Sequence, residues 1–195
     1  MLLPWTATPS TETLSRPDTM NTHYTAVAKS LHWLMALLIL GMLALGFYMT
    51  DLPLSPDKLQ YYSWHKWAGV SVFILVWMRL AWRLMFPPPP LLEGMSSAMN
   101  FAAHAGHWAL YALMVVIPLT GWLMSSAKGF QTVWFGVLPL PDLLAKDKAL
   151  GEQLAQLHGA LNVGLLLLIA GHAGAALWHH VVHKDDTLRR MLPAR

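Results

Sequence analysis

Four long apolar runs, at about 30–49, 64–86, 101–125 and 157–182, limit what this 195-residue chain can become. Each is near or above the roughly 20 residues that a helix needs to cross the hydrocarbon of a bilayer. Lipid offers backbone amides no hydrogen-bond partner, so segments of this kind must close their bonds internally as helices. Glycines at 41, 46, 69, 121, 164, 171 and 174 allow such helices to approach one another closely. The expected fold is all-α, a four-transmembrane-helix bundle, with Pro118 kinking the third span and Pro87 to Pro90 ending the second and opening a stiff connection. An even number of spans puts both termini on one side.

Composition agrees and removes several function classes. With 55% hydrophobic and 12% charged residues, the chain is too apolar for an ordinary soluble domain. The net charge of +3 comes from scattered Lys and Arg, with no basic stripe interleaved with aromatics, so no nucleic-acid partner is expected. The absence of cysteine excludes disulfides, thiolate-held iron–sulfur clusters and covalently attached c-type haem. Residues 1–22 are rich in Pro, Ser and Thr and lack the apolar core of a secretory signal. They are expected to be a disordered N-terminal extension to a single transmembrane domain over 23–195.

Lys and Arg set the orientation. Arg16, Lys29, Arg79, Arg83, Lys184, Arg189, Arg190 and Arg195 belong to the side of the termini, against Lys58, Lys66, Lys128, Lys146 and Lys148 on the other. The bias places both termini in the cytoplasm and the 50–63 and 126–156 loops outside. In the second loop Leu143, Leu150, Leu154 and Leu157 recur at helical spacing, either as an amphipathic helix on the membrane surface or as a lead-in to the fourth span. Trp134 and Phe135 suit the interfacial aromatic belt.

Ten histidines are the chemically informative residues. A polar, ionisable group within a span is a functional candidate by default. His158 and His172 lie fourteen residues apart in the fourth span. On a helix that spacing is about 21 Å of rise, with both rings within about 40° of one face. A b-type haem takes an axial imidazole from each side, so each of these histidines needs a partner at its own depth. His32, at the cytoplasmic start of the first span, matches His172. His65, at the outer start of the second, matches His158. The expected cofactors are two non-covalent haem b groups with those four residues as iron ligands, stacked across the bilayer.

Other histidines leave alternatives open. His107 lies at a depth similar to His172 and could replace His32, and with His104 it forms an H-x-x-H pair that also fits a metal site or interhelical hydrogen bonding. His179, His180 and His183 fall in the tail, where interfacial solvation suffices, and His23 falls in the arm. Gly69, Gly159, Gly171 and Gly174 flank the proposed ligands and either make room for a flat macrocycle or serve ordinary packing. Arg79 and Arg83, one turn apart, are candidate partners for the propionates of the inner haem or plain positive-inside anchors.

The segments SLHWLMALL, WHKWAGVSVFILVWMRLAWR with the following PPPP, AHAGHWALYALMVVIPLTGWLM, QLHGALNVG and GHAGAALWHHVVHKDDTLRRMLP, in this order, carry a likeness over about residues 24–193. In them the chain resembles the bacterial cytochrome b561 family, in its superoxide oxidase branch. The resemblance implies two b haems on residues matching His32, His65, His158 and His172, a bacterial inner-membrane location and ubiquinone as partner. It further implies that superoxide gives its electron at the outer haem and that ubiquinone receives it. Lys66, beside a ligand, and Lys128, in the long loop, are the candidate residues for steering that small anion. Membrane lipid is the surrounding partner, and a homo-oligomer is left open. The alternative function is a cytochrome b anchor and electron conduit for a separate redox protein. A third reading, a non-redox bundle whose histidines only hydrogen-bond, predicts no b-type spectrum. Met20 opens the segment that leads into the membrane and is an alternative translation start to Met1; with a start at Met20 the intact mass of the native protein lacks residues 1–19.

Overall fold

The computed structural model describes residues 23–90 and 95–192. The expected N-terminal extension over 1–22 lies outside the described residues. Four helices dominate: α1 Ala26–Asp51, α2 Pro56–Met85, α3 Ser97–Ala127 and α4 Lys148–Trp178. All four are long and apolar enough to cross a membrane. At about 1.5 Å per residue they run to roughly 40–47 Å, more than the ~30 Å hydrocarbon thickness, so each extends past its apolar run into the interface. This explains why helix bounds exceed the runs visible in the sequence. Hydropathy marks the lipid-covered part, whereas hydrogen bonding continues to the caps.

Each start is capped by the residue that its sequence supplies. Thr25, Ser55, Ser96 and Asp147 accept from the backbone N–H groups of Ala28, Lys58, Met99 and Leu150. These bonds satisfy amides that a helix start otherwise leaves orphaned. Pro56 occupies the first turn of α2, where its missing N–H costs nothing. At the far end Phe86 closes α2 on Trp82, and Pro87 to Pro90 prevent continuation. The Leu150, Leu154 and Leu157 spacing proves to be the lead-in: those residues are the first turns of α4, and Leu143 precedes it in the loop.

Helix α1 packs along α2, α2 against α3, and α3 most extensively along α4. Toward α1 and α2, by contrast, α4 stands off. The core is a narrow seam of Met35, Ile39 and Leu43 from α1, Val72 and Val76 from α2, Tyr111 and Ile117 from α3, and Leu165 from α4. Val76 is wholly enclosed, while Leu37 and Leu167, equally apolar, are about 70% and 68% exposed. Apolar side chains turned outward along whole helices fit a lipid solvent, not water.

Between α3 and α4, a two-stranded hairpin, β1 Val133–Trp134 and β2 Leu138–Pro139, pairs antiparallel with Trp134 opposite Leu138. Its turn sets Phe135 at φ 51° and Gly136 at φ 72°. Glycine accepts that left-handed region freely, whereas an aromatic residue gives up roughly 1–2 kcal/mol there. At the other end, α4 passes into a π-helical turn, His179–His183, and Lys184 at φ 54° reverses the chain. The returning segment is tied down by Lys29 Nζ donating to the Leu192 carbonyl, Trp33 Nε1 to that of Met191, and Arg190 to that of Pro90.

His179 therefore departs from the solvated role expected of the tail histidines. Its Nδ1–H donates to the Asp185 carboxylate at 2.6 Å and staples the reversal. Burial alone would raise the Asp185 carboxyl, but hydrogen bonds from Thr187 and His179 outweigh it and hold the group at about 2, below the ordinary 3.8. A folded value below the unfolded one adds stability above pH 3.8 that is lost as pH falls toward 2. Asp185→Asn should therefore lower the thermal midpoint in detergent at neutral pH, and the difference from the parent should shrink as the pH is taken down through that window.

Candidate functional site

The seams along which α4 stands away from α1 and α2 are the seams that histidines face. His32 on α1 and His172 on α4 have ring centres 6.1 Å apart, with ring planes at 63°. His65 on α2 and His158 on α4 have centres 6.4 Å apart, with planes at 77°. Two imidazoles sharing one metal from opposite sides place each nitrogen about 2 Å from it and each ring centre about 1 Å farther, which separates the centres by about 6 Å. Both pairs meet that spacing. A neutral nitrogen pair with no thiolate or carboxylate is the donor set of a b haem. Among the described residues no group of three or more His, Asp or Glu converges to hold a bare metal ion.

The orientation of His158 is set by the third helix. Its Nδ1 lies 3.1 Å from the Ile117 carbonyl and 3.1 Å from Thr120 Oγ1, which itself donates to Ile117 at 2.8 Å. A carbonyl can only accept, so the ring proton sits on Nδ1 and the lone pair is left on Nε2. This is the second partner that a metal-binding histidine ordinarily needs. Pro118 follows Ile117 directly and lacks the N–H that would bond Met114, so the helix is locally short of one rung where it serves His158. His65 has a buried Nδ1 with no hydrogen-bond partner among the described residues.

Two glycines on neighbouring helices make the histidine facing possible. A Cβ on Gly46 of α1 would sit 3.3 Å from His65 Cε1, and one on Gly121 of α3 would sit 3.2 Å from His158 Cε1. Gly69, expected to flank His65, faces Met42 instead, while Gly159, Gly171 and Gly174 have nothing within 4 Å of an added Cβ. The glycines beside the ligands in sequence are thus not those that touch the rings.

At the termini end His172 also faces His107, with centres 5.5 Å apart and planes at 66°. The alternative partner foreseen for His172 is therefore present in space, and the geometry brings His32, His107 and His172 together. His104 is turned to the Asn100 carbonyl at 2.8 Å. Arg79 reaches this group: Nε donates to the Tyr111 hydroxyl at 3.0 Å, one terminal nitrogen lies 3.4 Å from the Ala28 carbonyl, and the other lies 3.3 Å from His32 Nδ1. A guanidinium has no acceptor, so this contact puts the His32 lone pair on Nδ1. Ligation through Nε2 calls for the opposite tautomer and a turn of Arg79 toward an acidic group. Arg83 lies 5.9 Å from the centre of the Tyr111 ring. Among the described residues neither arginine pairs with a carboxylate, so both suit acidic propionates. Sequence reasoning missed Tyr111, which binds one arginine by its hydroxyl and the other by its ring. Its position one helical turn after His107 was the available signal.

The two lysines occupy different situations. Lys66 follows His65 and donates from Nζ to the Phe130 carbonyl at 3.1 Å, with the Asp142 carboxylate near enough to favour its charge. Lys128 caps α3 and is exposed, its stem lying across Gly151, where an added Cβ would be 2.8 Å from Lys128 Cγ. The structure thus ties Lys66 to the loop and leaves Lys128 at the surface.

Comparison with known proteins gives a consistent answer. The family model described as prokaryotic cytochrome b561 matches residues 23–194. Cytochrome b561 homolog 2 of Escherichia coli K12 is 36% identical over 176 residues, covering 87% of this chain and 90% of the relative. A probable superoxide oxidase of Yersinia pestis is 29% identical over 180 residues, covering 90% and 99%. Cytochrome b561 homolog 1 of Escherichia coli K12 is 34% identical over 133 residues, covering 67% and 74%.

Gly46→Ala and Gly121→Ala should each displace a ring of the loop-end pair by a few tenths of an ångström and lower haem content. The haem-to-chain ratio by pyridine haemochrome should fall, while Gly159→Ala, facing open space, should leave it unchanged.

Proposed function

Because the chain belongs to the prokaryotic cytochrome b561 family, we propose that it holds two haem b groups, oxidises superoxide at its loop end and delivers the electrons to ubiquinone. The coarser statement, a multi-pass bacterial membrane protein of electron transfer that binds haem b, comes with the family itself. The finer reading assigns His32 and His172 to one haem and His65 and His158 to the other. It is carried by one observation: two imidazole pairs, each at the spacing of trans ligands, with one member of each pair on the single helix α4. The likeness to a relative named probable superoxide oxidase supports the choice of electron donor.

The reaction balances as two superoxide anions, each giving up one electron and leaving as dioxygen, against one ubiquinone that takes two electrons and two protons to become ubiquinol. Haem b, when bound, supplies the one-electron redox chemistry. Ile117 and Thr120 hold the His158 ring through Nδ1 and leave Nε2 free to ligate. Arg79 and Arg83, with Tyr111 between them, neutralise propionates at the termini end. Lys66 and Lys128 raise the local concentration of a small anion at the loop end, an effect that salt screens. The Lys and Arg bias supports an outside loop end and cytoplasmic termini, and the bacterial inner membrane is the location this reading assigns.

Stopped-flow mixing of the oxidised protein with superoxide, no partner present, tests the reading. Haem reduction should be fast and slowed by salt, and Lys128→Glu should lower the second-order rate by about threefold to tenfold at low ionic strength. A b-type spectrum that superoxide leaves unreduced would instead support the conduit for a separate redox protein. His158→Ala and His65→Ala should remove one haem and His32→Ala and His172→Ala the other. If His107→Ala removes a haem and His32→Ala does not, the assignment at the termini end is wrong.

A further inference from the structure

The segment from Phe130 to Pro141 contains no charged residue. Within it the turn Trp134–Val137, closed by the Val137 N–H on the Trp134 carbonyl, holds both Phe135 and Gly136 at positive φ. Turns of this type favour Asn or Gly at both central positions, so an aromatic ring is an unusual occupant. The conformation turns Phe135 outward, 56% exposed, beside Val137 at 82% and an exposed Leu138. A contiguous apolar tip of this kind calls for a cover.

The hairpin is docked on α2. Trp67 Nε1 donates to the Val133 carbonyl at 2.7 Å, and Trp134 Nε1 lies 3.3 Å from both the Trp67 carbonyl and Ser71 Oγ. Trp67 and Ser71 belong to the first two turns of the apolar run that opens near residue 64, so the hairpin hangs at the depth of the span's beginning rather than above it. Trp64, Trp67, Ser71 and Ile74 recur at helical spacing on one face of α2, and Trp64 and Ile74 remain exposed there. The tip is thus continuous with a lipid-facing surface. Its backbone can bear that depth, because β1 and β2 pair with each other and the Val133 carbonyl is satisfied by Trp67.

We propose that the hairpin tip, Phe135 to Leu138, is a membrane anchor that inserts into the headgroup–acyl boundary of the leaflet at the loop end. The occupant is lipid: the tip has no charge to offer a polar partner, and it extends the hydrocarbon-covered face of α2. The anchor holds the long loop against the bundle where Phe130 accepts from Lys66 and from Ser125. The inference rests on the chain spanning a membrane and not on superoxide as donor, so either can fail without the other.

The absence of native cysteine allows single labels. Phe135→Cys and Val137→Cys, each carrying a nitroxide, are reconstituted with haem bound into phosphatidylethanolamine–phosphatidylglycerol vesicles. Leu37→Cys serves as the lipid reference and Lys148→Cys, on a side chain 91% exposed at the start of α4, as the aqueous one. Both hairpin labels should collide with dioxygen in preference to a water-soluble nickel chelate, at a depth of about 5–10 Å below the phosphates. Nickel access equal to that at Lys148→Cys would show a tip in water and overturn the proposal. Low access to both reagents would show a tip covered by protein, such as a second copy, and would overturn it too. Val137→Cys, whose side chain meets little of the protein, keeps the test decisive if Phe135→Cys fails to fold with haem.

Discussion

Hydrocarbon supplies no hydrogen bonds, and the structure follows from that scarcity. It forces each span to be a helix with capped ends, and it leaves little packing advantage in burying leucine, which lipid covers as well as protein does. The helices accordingly turn Leu37 and Leu167 outward and gather a narrow apolar seam from Met35 on α1 to Leu165 on α4. The same scarcity sorts the polar groups. A histidine nitrogen at membrane depth gains most from a carbonyl, another side chain or a metal. His158 has a carbonyl and a hydroxyl on one nitrogen, and its ring centre lies 6.4 Å from that of His65. Polar groups in this bundle are few, and those present are oriented.

Much of this was legible in the sequence, and the reason is geometric. Span count depends on run length, and side-chain depth depends on residue number along a helix, so arithmetic alone brought His158 level with His65 and His172 level with His32, rings that lie near each other in space. Rotation about the helix axis is a different matter. Which glycine meets which ring depends on how α1 and α3 are turned toward α2 and α4, and no single-chain periodicity encodes that. Gly46 and Gly121 therefore looked like ordinary small residues, while Gly69, Gly159, Gly171 and Gly174 drew notice only by adjacency. His107 stayed ambiguous for the same cause: depth could not decide between it and His32, and in space both rings lie near His172.

The loops were harder still. The hairpin rests on two indole hydrogen bonds to α2, contacts between residues more than sixty positions apart. The turn at Lys184 needed Asp185 to reach back to His179, a pairing that a tail rich in histidine hides among equivalent candidates. Positive charge near span ends gave a sidedness, but a count of lysines says nothing of what each ammonium touches. Lys66 holds a carbonyl, and Lys128 lies along Gly151.

The two histidine levels on α4 belong to one uninterrupted helix from Lys148 to Trp178. Their separation is consequently a property of covalent geometry and helical rise, not of how the other helices tilt or how thick the surrounding bilayer happens to be. The helix acts as a ruler. Distance governs how readily an electron passes between two centres, so in the proposed two-haem arrangement this spacing would keep the internal transfer indifferent to lipid composition. Adaptation to different membranes is left to the capped ends and the loops, which can shift without altering the distance that the chain has built in.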